Sequence, residues 1–246
     1  MKLSKTRATV YSNLGNVKMR RRYGLFTSEG EKNVSDTAKW FPMEAILTTE
    51  KSKMPEKIRN LAAEQYEVSE REMKSLTNFS TPSDVMGIFR IPEPPEIEID
   101  EAELYLLLDG VRDPGNMGTI IRTCHWFGIR TIFASFDSVD CFNPKTVQSA
   151  MGSLGAVTVR YCHLEELIIS HRGMPLYGTL LEGKDIFATQ LENKGFLAMG
   201  NEGKGLSEGI RSLVAYPLTI PPYNAEHGES LNVAVATAIA IAQFRK

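Results

Sequence analysis

Long apolar runs are missing from this chain. No stretch of its 246 residues comes near the roughly 18 consecutive apolar residues that a bilayer-spanning helix needs. The basic start, Met1-Lys2-Leu3-Ser4-Lys5, has no apolar core behind it, so no signal peptide is expected. Cysteine is scarce. Cys124, Cys141 and Cys162 are an odd number without a Cys-x-x-Cys spacing, which argues against a disulfide framework and a zinc site and fits a reducing cytosol. Two phosphate-binding signatures also fail. The segment Gly200-Asn201-Glu202-Gly203-Lys204-Gly205 has Gly205 where a P-loop needs Ser or Thr, and Ala198 where it needs Gly. The spacing Gly203-x-Gly205-x-x-x-Gly209 is one residue too long for a dinucleotide fingerprint. His227-Gly228-Glu229 could open a zinc-deaminase motif, but the Pro-Cys-x-x-Cys half is absent.

What is present is unevenly distributed. The net charge of −2 conceals a first 90 residues with 16 Lys and Arg against 11 Asp and Glu, and a remainder with 12 against 19. Seven basic residues, among them Lys18, Arg20, Arg21 and Arg22, precede the first acid, Glu29. Such an arm is suited to a polyanion, or is simply a solvated surface. The two regions meet at the proline- and glutamate-rich stretch from Ile91 to Glu101, which reads as a stiff, solvated linker. Domain boundaries are therefore expected at 1–91, 92–103 and 104–246.

Before the linker, the pattern predicts a small α/β domain, with strands at Ala45–Thr49 and Val85–Arg90 and a helix from Pro55 to Gln65. After it, six apolar runs predict strands: Leu104–Leu108, Arg130–Ala134, Ala156–Tyr161, Leu176–Leu180, Phe196–Met199 and Val214–Ile220. Helical stretches between most of them imply a mostly parallel sheet, with ligands outside the carboxyl ends of its strands. Ser230 to Phe244 alternates apolar residues with alanine. Alanine's helix preference favours a helix of small residues, suited to a core or a close two-fold contact.

Three segments are candidates for chemistry. Leu107 to Thr123 runs from a strand end through Asp113-Pro114-Gly115-Asn116 into a helix, with Asn116 expected at or near its N-cap and Arg122 set among apolar residues. Met199 to Ser207 places three glycines directly after a strand, as close backbone approach to a ligand would require. Ile220 to Val233 stops a strand at Pro221-Pro222 and leads through a polar loop to Ser230 and Asn232 at a helix start. Each alone reads equally as an ordinary cap, tight turn or loop.

In this order, on this α/β frame, Asn116 to Arg122, Gly200-Asn201-Glu202-Gly203 and Ser230-Leu231-Asn232-Val233 resemble the three signature motifs of the SpoU family, in the SPOUT superfamily of RNA methyltransferases. The resemblance covers Leu104 to the C-terminus. The first 90 residues resemble, more weakly, a ribosomal-protein-like substrate-binding domain found in some members. The family implies a deep trefoil knot, a homodimer, and methyl transfer from S-adenosylmethionine, without a metal, to a ribose 2′-hydroxyl of RNA. The N-terminal resemblance points to large-subunit (23S) ribosomal RNA; transfer RNA, or a non-catalytic ribosome-assembly role on the same fold, are the alternatives. By similarity, Arg122, Asn116, Glu202, Ser230 and Asn232 are catalytic. Arg122 orients the ribose or stabilises the developing alkoxide, and Arg122 or Glu202 takes the proton. Thr179, Gly200, Gly203, Ile220 and Leu231 would contact the cofactor, and Lys18, Arg20, Arg21 and Arg22 the RNA. Pro222 stands where the family has Met, and the Pro221–Ser230 loop is longer than usual, so its cofactor contacts stay open.

Overall fold

The computed structural model describes residues 1–93, 95–224 and 230–246. Two compact units emerge: Met1–Glu93 with Asp140–Ala156, and Pro94–Val139 with Val157–Lys246. The elements of the first are α1 (Lys5–Ser12), α2 (Val17–Tyr23), β1 (Leu25–Glu29), α3 (Glu31–Thr37), β2 (Met43–Thr48), α4 (Glu56–Arg59), β3 (Glu64–Glu67), α5 (Glu70–Leu76) and β4 (Val85–Arg90). The chain continues through β5 (Leu104–Asp109), α6 (Pro114–Trp126), β6 (Thr131–Ala134), α7 (Pro144–Ala150), β7 (Thr158–Tyr161), α8 (Leu164–Ser170), β8 (Leu176–Asp185), β9 (Gly195–Gly200), α9 (Glu208–Leu213), β10 (Tyr216–Thr219) and α10 (Val233–Phe244).

The first unit is a four-stranded sheet in the order β1-β4-β2-β3, antiparallel except between β2 and β3. One face packs Leu14, Leu47, Met73, Leu76 and Ile88 with the helices. The segment holding α7, which the sequence pattern assigns to the second domain, belongs to this unit. Its Phe142 ring lies 4.9 Å from Phe26. The expected helix Pro55–Gln65 is corrected to the single turn α4, followed by β3. Two residues of the expected linker are partly buried: Ile97 and Ile99 pack against the core of the second unit.

That core lies on a six-stranded sheet in the order β10-β8-β9-β5-β6-β7, parallel throughout. Strands buried from both sides can be continuously apolar, and β5 is buried at all six positions. From β5 the chain moves to β6 on one side; from β9, β5's other neighbour, it moves the opposite way toward β10. The order therefore reverses between β5 and β9, and a crevice opens where two such connections part at the carboxyl ends. Asp109 and Gly200 face each other across this last register. On the far side, β8 pairs with β10 at Tyr177 and Gly178, then again at Lys184 and Asp185, so residues 179–183 stand out of the ladder.

Candidate active site

The loop after β9 is a closed turn. Asn201 N–H donates to the Gly205 carbonyl (3.0 Å), and Gly205 N–H returns to the Asn201 carbonyl (2.8 Å). Asn201 Oδ1 accepts from the amides of Gly203 and Lys204, and its Nδ2 donates to the Gly110 carbonyl at 2.8 Å. Gly205 adopts a left-handed φ of 69°. A Cβ on Gly200 would lie 2.2 Å from the Gly205 carbonyl carbon, so glycine is required there by the turn's own backbone. Asp109, buried at the end of β5, fixes the far side by accepting the Ser207 N–H at 2.7 Å. Neither Asp109 nor Asn201 was singled out from sequence. An acid ending an otherwise apolar run was the available signal for the first.

Asn116 is not the cap of α6. Asp113 is: its carboxylate accepts the Asn116 N–H at 2.7 Å, with Pro114 as the first helical residue, a position that proline's fixed φ favours. The Asn116 side chain instead joins two loops. Its Nδ2 donates to Glu202 Oε1 at 2.7 Å, and its Oδ1 accepts from Asn232 Nδ2 at 2.9 Å. Asn232 caps α10, accepting the amides of Ala234 and Val235. The donors and acceptors of this chain admit one orientation of the Asn116 amide, since a flip would set oxygen against the carboxylate. The candidate residues Asn116, Glu202 and Asn232, each from a different motif, are thus brought into one hydrogen-bonded line.

Beside that line is a cavity of about 400 Å³, within the range of about 300–1,000 Å³ usual for small-molecule sites. Thr179, Gly200, Gly203, Ile220 and Leu231 all line it, as do Glu202 and Ser230. Apolar Leu180, Leu206 and Val233 share the lining with cationic Lys204 and Arg211, which sequence reasoning did not select. Residues 225–229, including His227-Gly228-Glu229 and half of the atypical loop, lie outside the described residues.

Two arginine expectations change. Arg122 is not set in an apolar surround. It is on the exposed face of α6, opposite Met117, Ile120, Ile121 and Cys124, and it is not part of the cavity lining. Arg20 is only 1% exposed. Its Nε and Nη2 donate to Asp140 Oδ2 (3.0 and 2.6 Å), and its Nη1 to the Leu14 and Gly15 carbonyls. A guanidinium so enclosed cannot reach an RNA phosphate, so its assignment as an RNA contact is withdrawn. Lys18, Arg21 and Arg22 are exposed. Among the described residues, no group of three or more His, Cys, Asp or Glu side chains is arranged to hold a metal ion.

Residues 103–242 match the SpoU rRNA Methylase family. The chain belongs to that family. Residues 10–87 match the MRM3-like substrate binding domain. The 23S rRNA (guanosine(2553)-2′-O)-methyltransferase RlmP of Bacillus subtilis is 30% identical to this family member over 93% of the chain and 91% of its own length. The 23S rRNA (uridine(2479)-2′-O)-methyltransferase of Streptomyces viridochromogenes is 31% identical over 92% and 84%. The structure of an S-adenosylmethionine-bound rRNA methyltransferase from Sinorhizobium meliloti superposes with a TM-score of 0.86 at 29% identity, covering all of this chain and 97% of the other.

Proposed function

We propose that this protein transfers a methyl group from S-adenosylmethionine to a ribose 2′-hydroxyl of 23S ribosomal RNA, in the cytoplasm. The observation that carries the reading is the Asn232–Asn116–Glu202 line, whose Glu202 shares the lining of the glycine-turn cavity. The cavity suits the donor. Leu180, Leu206 and Ile220 offer apolar walls, Thr179 and Ser230 offer hydroxyls, and the turn from Gly200 to Gly205 shares the lining. When bound there, S-adenosylmethionine supplies an electrophilic methyl group on a sulfonium.

The residues of the chain supply the rest. A ribose hydroxyl is a weak nucleophile until its proton departs, and a positioned base contributes about 10²–10⁴-fold. Glu202 is the base: Asn116 fixes one carboxylate oxygen, and Asn232 fixes Asn116 against the start of α10. Arg122 acts by orienting the acceptor and stabilising negative charge on its oxygen. It does so across a dimer. α6 and α10 pack together and expose Trp126 (85%) and Val235, an apolar pair that a second copy would cover while bringing its Arg122 to the neighbouring site. The displaced residues 179–183 and the packing of α10 on α6 also suit a C-terminus threaded as a knot.

The test is incubation of the full chain with labelled S-adenosylmethionine and unmodified 23S ribosomal RNA or transfer RNA, followed by nucleoside analysis. Label in 2′-O-methyl nucleosides of ribosomal RNA is expected. Label in bases alone, or in neither RNA, would overturn the reading.

A further inference from the structure

The carboxyl edge of the second sheet continues past the crevice to β6 and β7. There the chain holds a large aromatic ring in solvent: Phe136, just after β6, is 63% exposed. Isolated exposed apolar residues are common, but this one sits in a turn tied down by hydrogen bonds. Ser135 N–H donates to the Leu108 carbonyl, and Ser138 N–H to the Ser135 carbonyl. The Ser135 hydroxyl accepts the Gly110 N–H (2.8 Å) and donates to Asp137 Oδ1 (2.7 Å), while Ser138 Oγ accepts the Val111 N–H. The turn is therefore tied to the loop after β5, which itself is tied to Asn201. The Phe136 ring is braced by His163, the residue before α8, at 4.9 Å and 71°. Beside it, exposed Arg112 donates to Asp137 Oδ2 at 2.9 Å.

An aromatic face, a second ring behind it and an adjacent guanidinium match the chemistry of an unstacked nucleotide: the base lies on the ring and the phosphate takes the cation. The strand spacing puts β6 two positions, about 10 Å, from β9 along the edge. We propose that Phe136, braced by His163 and flanked by Arg112, is the stacking platform for a nucleobase close in the RNA strand to the nucleotide acted on at Glu202. This rests on the RNA-methyltransferase reading above.

The experiment uses the full-length protein with a single-stranded fragment of 23S ribosomal RNA that the wild type methylates. Phe136→Leu keeps the apolar bulk and removes the π-face; Phe136→Tyr restores it. The expected result for Phe136→Leu is an RNA dissociation constant raised about 5- to 150-fold. The slope of its salt dependence, the affinity for S-adenosylmethionine and the melting temperature should not change, and Phe136→Tyr should behave as wild type. Arg112→Ala should instead make the salt slope shallower by about one phosphate's share. Wild-type affinity in Phe136→Leu, with methylation intact, would overturn the platform while leaving the reaction assignment standing. A wild-type protein that neither binds nor methylates RNA would overturn both. If the exposed ring instead serves a protein partner, Phe136→Leu will leave RNA affinity untouched, which also rejects the proposal.

Discussion

Arg20 and Arg122 both sit on helices in segments that look basic or amphipathic in sequence, yet their surroundings are opposite. Arg20 is enclosed in the first unit, with its guanidinium hydrogen bonds directed at Asp140 and at the carbonyls that precede α2. Arg122 stands on the outer face of α6, away from the apolar residues that seat the helix. A buried cation surrounded by acceptors holds a fold together. An exposed one on a helix that starts at the crevice can meet a ligand or a second copy. Arg21 and Arg22 sharpen the contrast: one and two residues beyond Arg20, the helical turn of about 100° per residue rotates them into solvent.

The widest separation between the two regions should come from Arg20→Ala. Removing one member of a buried pair costs about 3–5 kcal/mol, so the urea midpoint should fall steeply while turnover per folded molecule holds. A change under about 1 kcal/mol would place Arg20 with the surface arginines after all. Arg122→Ala should do the reverse, losing about 10²–10³-fold in turnover with stability and S-adenosylmethionine affinity retained; sustained turnover would remove Arg122 from the reaction. A smaller, internal contrast lies in the glycine turn. Gly200→Ala forces a Cβ against the Gly205 carbonyl carbon and should destabilise by about 1–3 kcal/mol. Gly203→Ala meets nothing nearer than Asn201 Oδ1 at 3.8 Å and should melt near the wild type. Equal melting temperatures for the two variants would refute the backbone account of Gly200. Last, Arg21→Glu with Arg22→Glu should weaken RNA binding and flatten the plot of log affinity against log salt by about 0.7 for each phosphate no longer neutralised. An unchanged slope would detach α2 from the RNA.

The second sheet was readable because parallel strands covered on both faces appear as uninterrupted apolar runs, and Leu104–Asp109 and Gly195–Gly200 fall within a residue or two of expectation. β8 is longer than its apolar run: its last residues, Glu182-Gly183-Lys184-Asp185, are exposed, and only Lys184 and Asp185 rejoin β10 after five residues out of register. In the first unit, β1 escaped the pattern because Ser28 and Glu29 are polar yet buried. Thr37 and Thr77 satisfy them, each donating its hydroxyl, and burial pushes the Glu29 carboxyl above its ordinary range. Site residues in the motifs were legible as a set, whereas their geometry was not. Spacing alone could not show that Asp113 takes the capping role and leaves Asn116 to join Glu202 and Asn232. Nor could it show that an arginine in a basic cluster meets an aspartate 120 residues away.

The central claim is that the glycine turn after β9, with Ile220 and Leu231, forms the seat of the methyl donor. Diffraction from crystals grown with saturating S-adenosylmethionine tests it most directly. The account predicts donor density in that cavity, within reach of Thr179 and Gly200 and facing the Glu202 carboxylate. Density seated elsewhere on the chain, or an empty cavity at saturation, would contradict it.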